Sequence, residues 1–424
     1  MALLLQRNDI GDGVGFTQIN DSRFKTNRLS IHLIVPLKEE NASANAMIPF
    51  LIRKGYRGCS DFTALNQKLD RLYGASLYTD VLKSGDFQIL NIAISSIDDR
   101  FALEKESITG EASEILCNLL FRPAFVEKDF DLAQFELEKQ SLIDAIEAEV
   151  NEKTTFAVQR MLTHMCSGEA YGIHRYGRVE QIRNLSLDDV RSAYYNVLQT
   201  ARAEIYFVGC GTAEEVKDNF SDGFSAQERK PLQSIDSYIV SKAEKVNTVT
   251  EQYDVAQAKL VMGFRVGASS MEEMQHARLM CLLFGGTPRS KLFMNVREKL
   301  SLCYYCSSRL DRNKGIMYVN SGVEHENVEQ AKEEILHQLE QIKSGSFTDE
   351  ELNETKLMAV DSLRVVNDSA SSMEGWYLSQ MFLHSQASPE EEAEQLLKIT
   401  RDQIIAAANR VTLDTIYLLS GEDK

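Results

Sequence analysis

The chain has 424 residues, of which 43% are hydrophobic and 26% are charged. This composition is typical of a soluble protein of two or three domains, and the presence of only 6 prolines disfavours long disordered segments. The formal net charge of −17 disfavours nucleic acid as a partner, because an acidic surface repels the phosphate backbone.

The N-terminal stretch "MALLLQRND" turns polar after a few apolar residues, which is too short for the core of a signal peptide. No uncharged apolar run reaches the roughly 18 residues that a membrane span requires. The 7 cysteines are scattered along the chain and odd in number, a usage typical of reduced thiols. We therefore expect a cytoplasmic protein.

Each half of the chain opens with segments that have the pattern of β-strands. Apolar residues alternate in "RLSIHLIVPL", as they do in a half-buried strand. Long helical regions follow at 129–164 and 327–366. Because strands and helices do not alternate regularly, we expect an α+β fold in which helices pack on one face of a largely antiparallel sheet. The other predicted strands are "FQILNIAIS", "AKLVMGFRVGA" and "GIMYVNSGV".

The chain also contains an internal repeat with a spacing of roughly 200 residues. "LSLDDVRSAYYNVLQTARAEIYFVGCG" and "ITRDQIIAAANRVTLDTIYLLSGE" both read as a helix, a break and an apolar strand that ends at glycine. Thr348 and Glu351 form a predicted capping box before one of the later helices. We predict two similar halves, residues 1–220 and 246–424, joined by a polar linker at 221–245.

A search for catalytic or metal-binding motifs finds no phosphate-binding loop, dinucleotide-binding glycine pattern or nucleophile elbow. The pair Cys303 and Cys306 has C-x-x-C spacing, but side chains three apart on a regular strand point to opposite faces, which predicts two separate buried thiols. The histidines are predicted to be surface or structural residues, because none has the spacing of metal ligands. They are His32, His164, His174, His276, His325, His337 and His384.

The segment "GGTPRSKLFMNVREKLSLCYYCSS", 285–308, resembles the C-terminal signature of the pitrilysin/insulinase family of zinc metallopeptidases, which includes the mitochondrial processing peptidase. The resemblance covers nearly the whole chain and implies two homologous halves with the LuxS/MPP-like metallohydrolase fold. Ser301 departs from it, because glycine is usual there. The form "SLCYY" also resembles a bacterial subgroup associated with modification of elongation factor P, although no residue here indicates that chemistry.

The zinc motif that this resemblance leads one to expect is absent. Active members carry H-x-x-E-H, yet here Ala46 and Phe50 stand in place of the histidines and Pro49 in place of the glutamate base. Further on, Glu138 fits the first of two family glutamates, but Ala145 replaces the zinc ligand. Ala and Phe have no lone pair for zinc and Pro cannot activate water, so we expect no metal and no catalytic residue in this chain.

Arg297 and Tyr304 match the family residues that hold the substrate backbone, and the resemblance therefore implies a substrate-binding role for both. The chemistry is suitable, because arginine binds carbonyl and carboxylate groups and tyrosine donates to a developing oxyanion. A structural interpretation is also open. Arg297 and Lys299 would then complement a helix dipole, and Tyr304 would be a packed strand residue.

The resemblance implies a zinc-free, non-catalytic subunit of a heterodimeric peptidase, which binds peptide beside a homologous partner that carries H-x-x-E-H and the zinc. The alternative is a structural or peptide-binding pseudoenzyme that self-associates and hydrolyses nothing. A third interpretation, a metallopeptidase with relocated ligands, requires stoichiometric zinc in the purified chain.

Overall fold

The computed structural model describes residues 4–211 and 213–421. Contacts divide the chain into two units, and each unit takes residues from both halves of the sequence. The first unit comprises the residues up to Glu147, Ile173–Asp236 and the short segment Ser369–Gly375. The second comprises Ala148–Gly172, Ser237–Asp368 and the residues from Trp376 onward.

The first unit is built on a six-stranded sheet with the order β1-β2-β6-β3-β5-β4. Neighbouring strands are antiparallel except β2 and β6, which are parallel. The strands are β1 (Leu4–Gly11), β2 (Val14–Asn20), β3 (Thr26–Pro36), β4 (Ser76–Ser84), β5 (Phe87–Ile97) and β6 (Arg202–Gly209).

The second unit repeats this arrangement in a five-stranded sheet with the order β7-β11-β8-β10-β9. Only β7 and β11 are parallel, as β2 and β6 are in the first unit. The predicted internal repeat and the largely antiparallel sheets are thus confirmed. The strands are β7 (Asn247–Gln252), β8 (Ala258–Arg265), β9 (Cys303–Asp311), β10 (Ile316–Val323) and β11 (Thr412–Ser420).

Helices fill the connections between strands in the same sequence in both halves. Those of the first half are α1 (Ala42–Ile52), α2 (Phe62–Arg71), α3 (Ile108–Phe121), α4 (Leu132–Ala148), α5 (Lys153–Met165), α6 (Val179–Asn184), α7 (Leu187–Thr200) and α8 (Glu214–Ser225). Those of the second half are α9 (Met271–Cys281), α10 (Val328–Lys343), α11 (Asp349–Arg364), α12 (Ala370–Phe382), α13 (Pro389–Lys398) and α14 (Arg401–Arg410). Two π-helical segments, Leu282–Gly286 and Leu292–Lys299, follow α9.

The predicted linker begins inside α8 rather than after it. Val216, Phe220 and Phe224 are buried at helical spacing and hold the helix against the core of the first unit as far as Ser225. The residues from 226 to 246 contain neither helix nor strand. The linker therefore starts later than the polar composition of the sequence indicates.

The second sheet is covered on both faces, because alternate residues of β8 enter two different apolar clusters. Leu260 and Met262 pack in the main core of the second unit, whereas Val261 packs in a cluster with α5. At Gly263 a Cβ atom would lie 2.6 Å from the sulfur of Met165, so a larger residue would displace this methionine side chain. The prediction of helices on one face is confirmed, and the structure adds α5 on the other.

No helix in the described part of the chain is long and apolar enough to cross a bilayer. All 7 cysteines lie within the described ranges, and each is a free thiol.

Candidate functional site

Helix α1 carries the positions at which the family resemblance leads one to expect the zinc motif. Ten of its eleven residues are buried, and Ala46 is completely inaccessible. Pro49 lies inside the helix, where its missing N–H leaves the carbonyl of Asn45 without the usual helical partner. The Phe50 ring meets the Tyr176 ring edge-on, with a centroid distance of 6.3 Å. The motif positions are therefore occupied by packing residues.

The second part of the expected zinc site, on α4, is equally unsuited to a metal. The Glu138 carboxylate forms an ion pair with Lys54, whose ammonium also lies 5.2 Å from the centroid of the Phe62 ring. Ala145 is exposed and offers no ligand atom. Across the described ranges, no group of three or more His, Cys, Asp or Glu residues is arranged to hold a metal ion. The residues of this chain do not fit zinc.

In the second unit, the π-helical segment Leu292–Lys299 precedes β9, as α2 precedes β4 in the first unit. Leu292 and Val296 are buried in the core, which fixes one face of the segment. The amide of Asn295 donates to the Lys291 carbonyl and to the Gln338 side chain, both at 3.0 Å. Short π-helical turns often occur at functional sites. Here the turn supports the side chains at its C-terminal end.

Arg297 lies near the end of this segment with its side chain 40% exposed. Its guanidinium carbon lies 4.5 Å from the centroid of the Phe293 ring, one helical turn earlier in the chain. This stacking orients the guanidinium group. Glu298 approaches it at 3.6 Å, too far for a good hydrogen bond. No role was predicted for Phe293, although the i, i+4 spacing of an aromatic residue and an arginine on a helix is a signal for such a contact.

Tyr304 lies at the start of β9, the edge strand of the second sheet, and is 61% exposed. In the register with β10, Cys303 is opposite Val323 and Tyr305 is opposite Gly322, so Tyr304 is an extra residue without a partner. This is a β-bulge, a feature that redirects side chains at sheet edges. The segment that carries Arg297 packs on β9, so the structure places Arg297 and Tyr304 in adjoining elements. Their role in binding substrate stays a prediction.

The bulge also corrects the expectation for the two neighbouring cysteines. On a regular strand Cys303 and Cys306 would face opposite sides, but the extra residue shifts the alternation by one. Both side chains are therefore on one face of the strand and are buried in the core of the second unit. The spacing alone could not reveal this, because it does not show which residue lacks a cross-strand partner.

Ser301 joins the π-helical segment to β9 with a φ of +51°. This φ lies in the left-handed region. A residue that has a Cβ atom is strained there, whereas glycine adopts this conformation without strain. The departure from the usual glycine is therefore accommodated, with local strain, at the turn between Arg297 and Tyr304.

His32, one of the histidines predicted to be surface or structural residues, is buried. Its Nε2 lies 2.9 Å from the carboxylate of Glu374, which also binds Arg28 at 2.6 Å. Burial favours the neutral form of Glu374, yet the hydrogen bond and charge of His32, with Arg28, lower the pKa of this carboxyl overall. His32 is therefore a structural residue, as expected.

Comparison with known proteins agrees with this geometry. Residues 184–358 match a family model described as "Peptidase M16 inactive domain", a span that includes Arg297 and Tyr304 but not α1. The chain is 26% identical over 406 residues to the "probable inactive metalloprotease YmfF" of Bacillus subtilis, covering 96% of this chain and 95% of that protein.

Solved structures show the same fold over the whole length. A conserved protein from Enterococcus faecalis V583 superposes with a TM-score of 0.88 and 26% identity, covering 99% of both chains. A peptidase M16 inactive domain from Pseudomonas fluorescens superposes with a TM-score of 0.79 and 15% identity, covering 99% of this chain and 98% of that one. The descriptions of the matched family and of the Bacillus relative include the word inactive, in agreement with the loss of the zinc residues from α1 and α4.

Proposed function

The chain belongs to the M16, or pitrilysin/insulinase, family as an inactive metallopeptidase homologue, and on that basis we propose that it is the substrate-holding subunit of a heterodimeric peptidase. The partner would be a homologous chain that carries H-x-x-E-H together with the zinc and the general base. We further propose a cytoplasmic setting, which the free thiols of all 7 cysteines support.

One contrast carries the proposal. The positions of the zinc site are filled by Ala46, Pro49 and Phe50, which only pack, whereas Arg297 and Tyr304 project polar groups into solvent. Exposed groups of this kind contribute little to the stability of a folded chain. Because Arg297 and Tyr304 add little to stability, we attribute their exposed polar groups to the binding of a substrate.

The chemistry assigned to this chain is the positioning of a peptide. The guanidinium group of Arg297, which stacks on the Phe293 ring, presents N–H donors to a peptide carbonyl or carboxylate. The hydroxyl of Tyr304 supplies a neutral donor for the oxyanion that develops when the peptide bond is attacked. Among the described strands none lies at the outer edge of β9, so an extended peptide would add there as a further strand of the sheet.

The test is the peptidase activity of this chain mixed with an H-x-x-E-H homologue encoded beside it. We expect neither chain alone to cleave a peptide library, whereas the mixture cleaves it. Arg297→Ala should lower kcat/KM of the mixture by about 100-fold, the typical effect of losing one donor to a transition state. Tyr304→Phe removes only a hydroxyl and should lower it by about 10-fold or more.

Two variants serve as matched controls. Arg289→Ala removes another exposed arginine from the same part of the chain, one that pairs with Glu354. Tyr78→Phe removes the hydroxyl of an exposed tyrosine on β4, the edge strand of the other sheet. Both should leave the activity within about twofold of the unmodified pair, since surface changes away from a site have small effects.

Three results would overturn the proposal. If Arg297→Ala and Tyr304→Phe leave an active mixture unchanged, the two residues do not hold the substrate. If the chain binds no zinc-motif partner and light scattering shows a homodimer without activity, the self-associating pseudoenzyme is correct. Stoichiometric zinc in the purified chain, measured by mass spectrometry, would instead support a metallopeptidase with relocated ligands.

A further inference from the structure

The two thiols at the start of β9 form a pair that neither the family nor the proposed function accounts for. Cys303 and Cys306 are both buried, at 8% and 3% exposure, and belong to one apolar cluster. They share a face because Tyr304 is bulged out of the ladder between them. Cys303 lies opposite Val323 and Cys306 opposite Ser321, two residues apart on β10, so the two thiols are neighbours on this face.

The surroundings make the two thiols chemically unequal. The hydrogen bond from Cys306, and to a smaller extent the charge of Arg297, lower the pKa of Cys303 against the effect of burial. The same hydrogen bond and burial raise the pKa of Cys306. One thiol of the pair is thus suited to act as the nucleophile and the other to act second, which is the arrangement found in redox-active dithiols.

Access is also unequal. Cys303 is 8% exposed against 3% for Cys306 and directly precedes the exposed Tyr304, so it is the more accessible thiol of the two. Cys281 lies in the same apolar cluster and is a built-in comparison, because burial raises the pKa of its thiol to about 12. Its sulfur interacts with the hydroxyl of Ser308 at 3.3 Å rather than with a second thiol.

We propose that Cys303 and Cys306 are a redox pair that a hydroperoxide converts to an intramolecular disulfide. The sulfur of Cys303 attacks one peroxide oxygen, the O–O bond breaks, and the other oxygen leaves as an alcohol or water, which gives a sulfenic acid. The sulfur of Cys306 then attacks that sulfur, the S–O bond breaks, and water leaves with the thiol proton. Two thiols are oxidised and one hydroperoxide is reduced.

This inference does not depend on a peptidase partner, since it concerns a reaction of this chain alone. Its structural consequence is confined to the start of β9, where the new bond would close a short loop around Tyr304. The position of that side chain relative to Arg297 would then be fixed by a covalent bond as well as by the bulge.

The test uses the purified full chain treated with hydrogen peroxide, followed by alkylation, trypsin digestion and mass spectrometry. Cleavage after Lys299 and Arg309 releases both thiols in one peptide, 300–309, and cleavage after Arg278 and Arg289 places Cys281 in another. We expect the first peptide to lose two hydrogen atoms, to resist alkylation and to recover after reduction with dithiothreitol. It should react at least about 10-fold faster than Cys281, because the thiolate is the reactive form.

Substitutions then identify the order of attack. Cys306→Ser should leave a sulfenic acid on Cys303 that dimedone traps, whereas Cys303→Ser should give little trapped product, and Cys281→Ser should leave disulfide formation unchanged. The proposal is overturned if the unsubstituted chain keeps both thiols of peptide 300–309 alkylatable while Cys281 is oxidised. It is also overturned if oxidation produces only disulfides between two chains.

Discussion

The helix that follows the inner strand differs sharply between the two units, although both sheets have the same strand order. After β3, helix α1 is buried along nearly its whole length and contains a proline. After β8, α9 continues into two π-helical segments, the second of which exposes Met294 and Arg297 beside a bulged edge strand. The same strand order is therefore compatible with a buried helix after the inner strand in one unit and with an exposed segment before the edge strand in the other.

A second difference concerns the helix on the opposite face of each sheet. In the first unit, Glu374 of α12 meets the sheet through ionic hydrogen bonds to Arg28 and His32. In the second, α5 meets the sheet through an apolar cluster that includes Met161 and Val261. The contact of α12 depends on ion pairs and the contact of α5 depends on apolar packing. Substitutions in the two contacts should therefore change the free energy of unfolding for different reasons.

The largest loss of stability is expected from Glu374→Ala. The change leaves Arg28 and His32 beneath α12 without their carboxylate, and breaking a buried pair in this way costs about 3–5 kcal/mol. Urea denaturation followed by circular dichroism measures the loss. Glu340→Ala, which removes an exposed ion pair with Lys343, should change stability by less than about 1 kcal/mol. A small effect at Glu374 would mean that packing, not charge, holds this helix.

The next effect tests the difference between α1 and the π-helical segment. Ala46→His places a larger, polar ring in a fully buried position and should destabilise the chain by about 2–4 kcal/mol, through overpacking and an unsatisfied polar group. The same residue introduced by Met294→His, at a 47% exposed position, should cost less than about 0.5 kcal/mol. Thermal unfolding of the two variants gives the comparison directly. Equal costs would show that α1 retains room for a metal-binding side chain.

The sequence was most informative about where strands and helix starts lie. Apolar segments predicted β3, β5, β8 and β10, and the capping box of Thr348 and Glu351 is present at the start of α11. These features depend on neighbours along the chain, so a single sequence contains their signal. The absence of the zinc ligands could also be predicted from the sequence, because it is enough to know which side chains bind a metal. The expectation that β3 is half-buried was wrong, because residues of both its faces are buried.

Other features depend on partners that are distant in sequence. The bulge at Tyr304 is defined by its register with β10, and the packing of α5 on β8 is defined by tertiary contacts. The strands β1, β2 and β7 were not identified individually, because short polar-rich segments such as Asn247–Gln252 have a weak periodic signal. The substrate roles of Arg297 and Tyr304 remain predictions from the resemblance.

A smaller effect concerns acid stability in the second unit. The hydrogen bond from Arg160, supported by Tyr417 and His164 against the effect of burial, lowers the pKa of Glu251 to about 2. Since the folded pKa is below the unfolded value of about 4.5, the ionised carboxylate stabilises the fold above pH 4.5 and ceases to do so as the pH falls towards 2.

Glu251→Gln tests this dependence. The variant should be less stable than the unmodified chain by about 1 kcal/mol at pH 6, because a partly exposed ion pair is lost. The difference should shrink as the pH is lowered through 4 towards 2, where the carboxylate of the unmodified chain also becomes neutral. Unfolding midpoints at several pH values provide the measurement. A difference that persists unchanged at pH 2 would show that charge is not its cause.

The smallest effect is expected at the turn that joins the two elements of the candidate site. Ser301→Gly relieves the strain of a φ of +51° and, after the greater entropy loss of glycine on folding, should stabilise the chain by about 0.5 kcal/mol. Ser344→Gly is a matched control, since Ser344 has a φ of −81° and glycine relieves no strain there. That variant should be neutral or slightly destabilised. If Ser301→Gly lowered the unfolding midpoint as well, the serine side chain would contribute more to the turn than its strained backbone costs, and the departure from the usual glycine would be favourable to the fold.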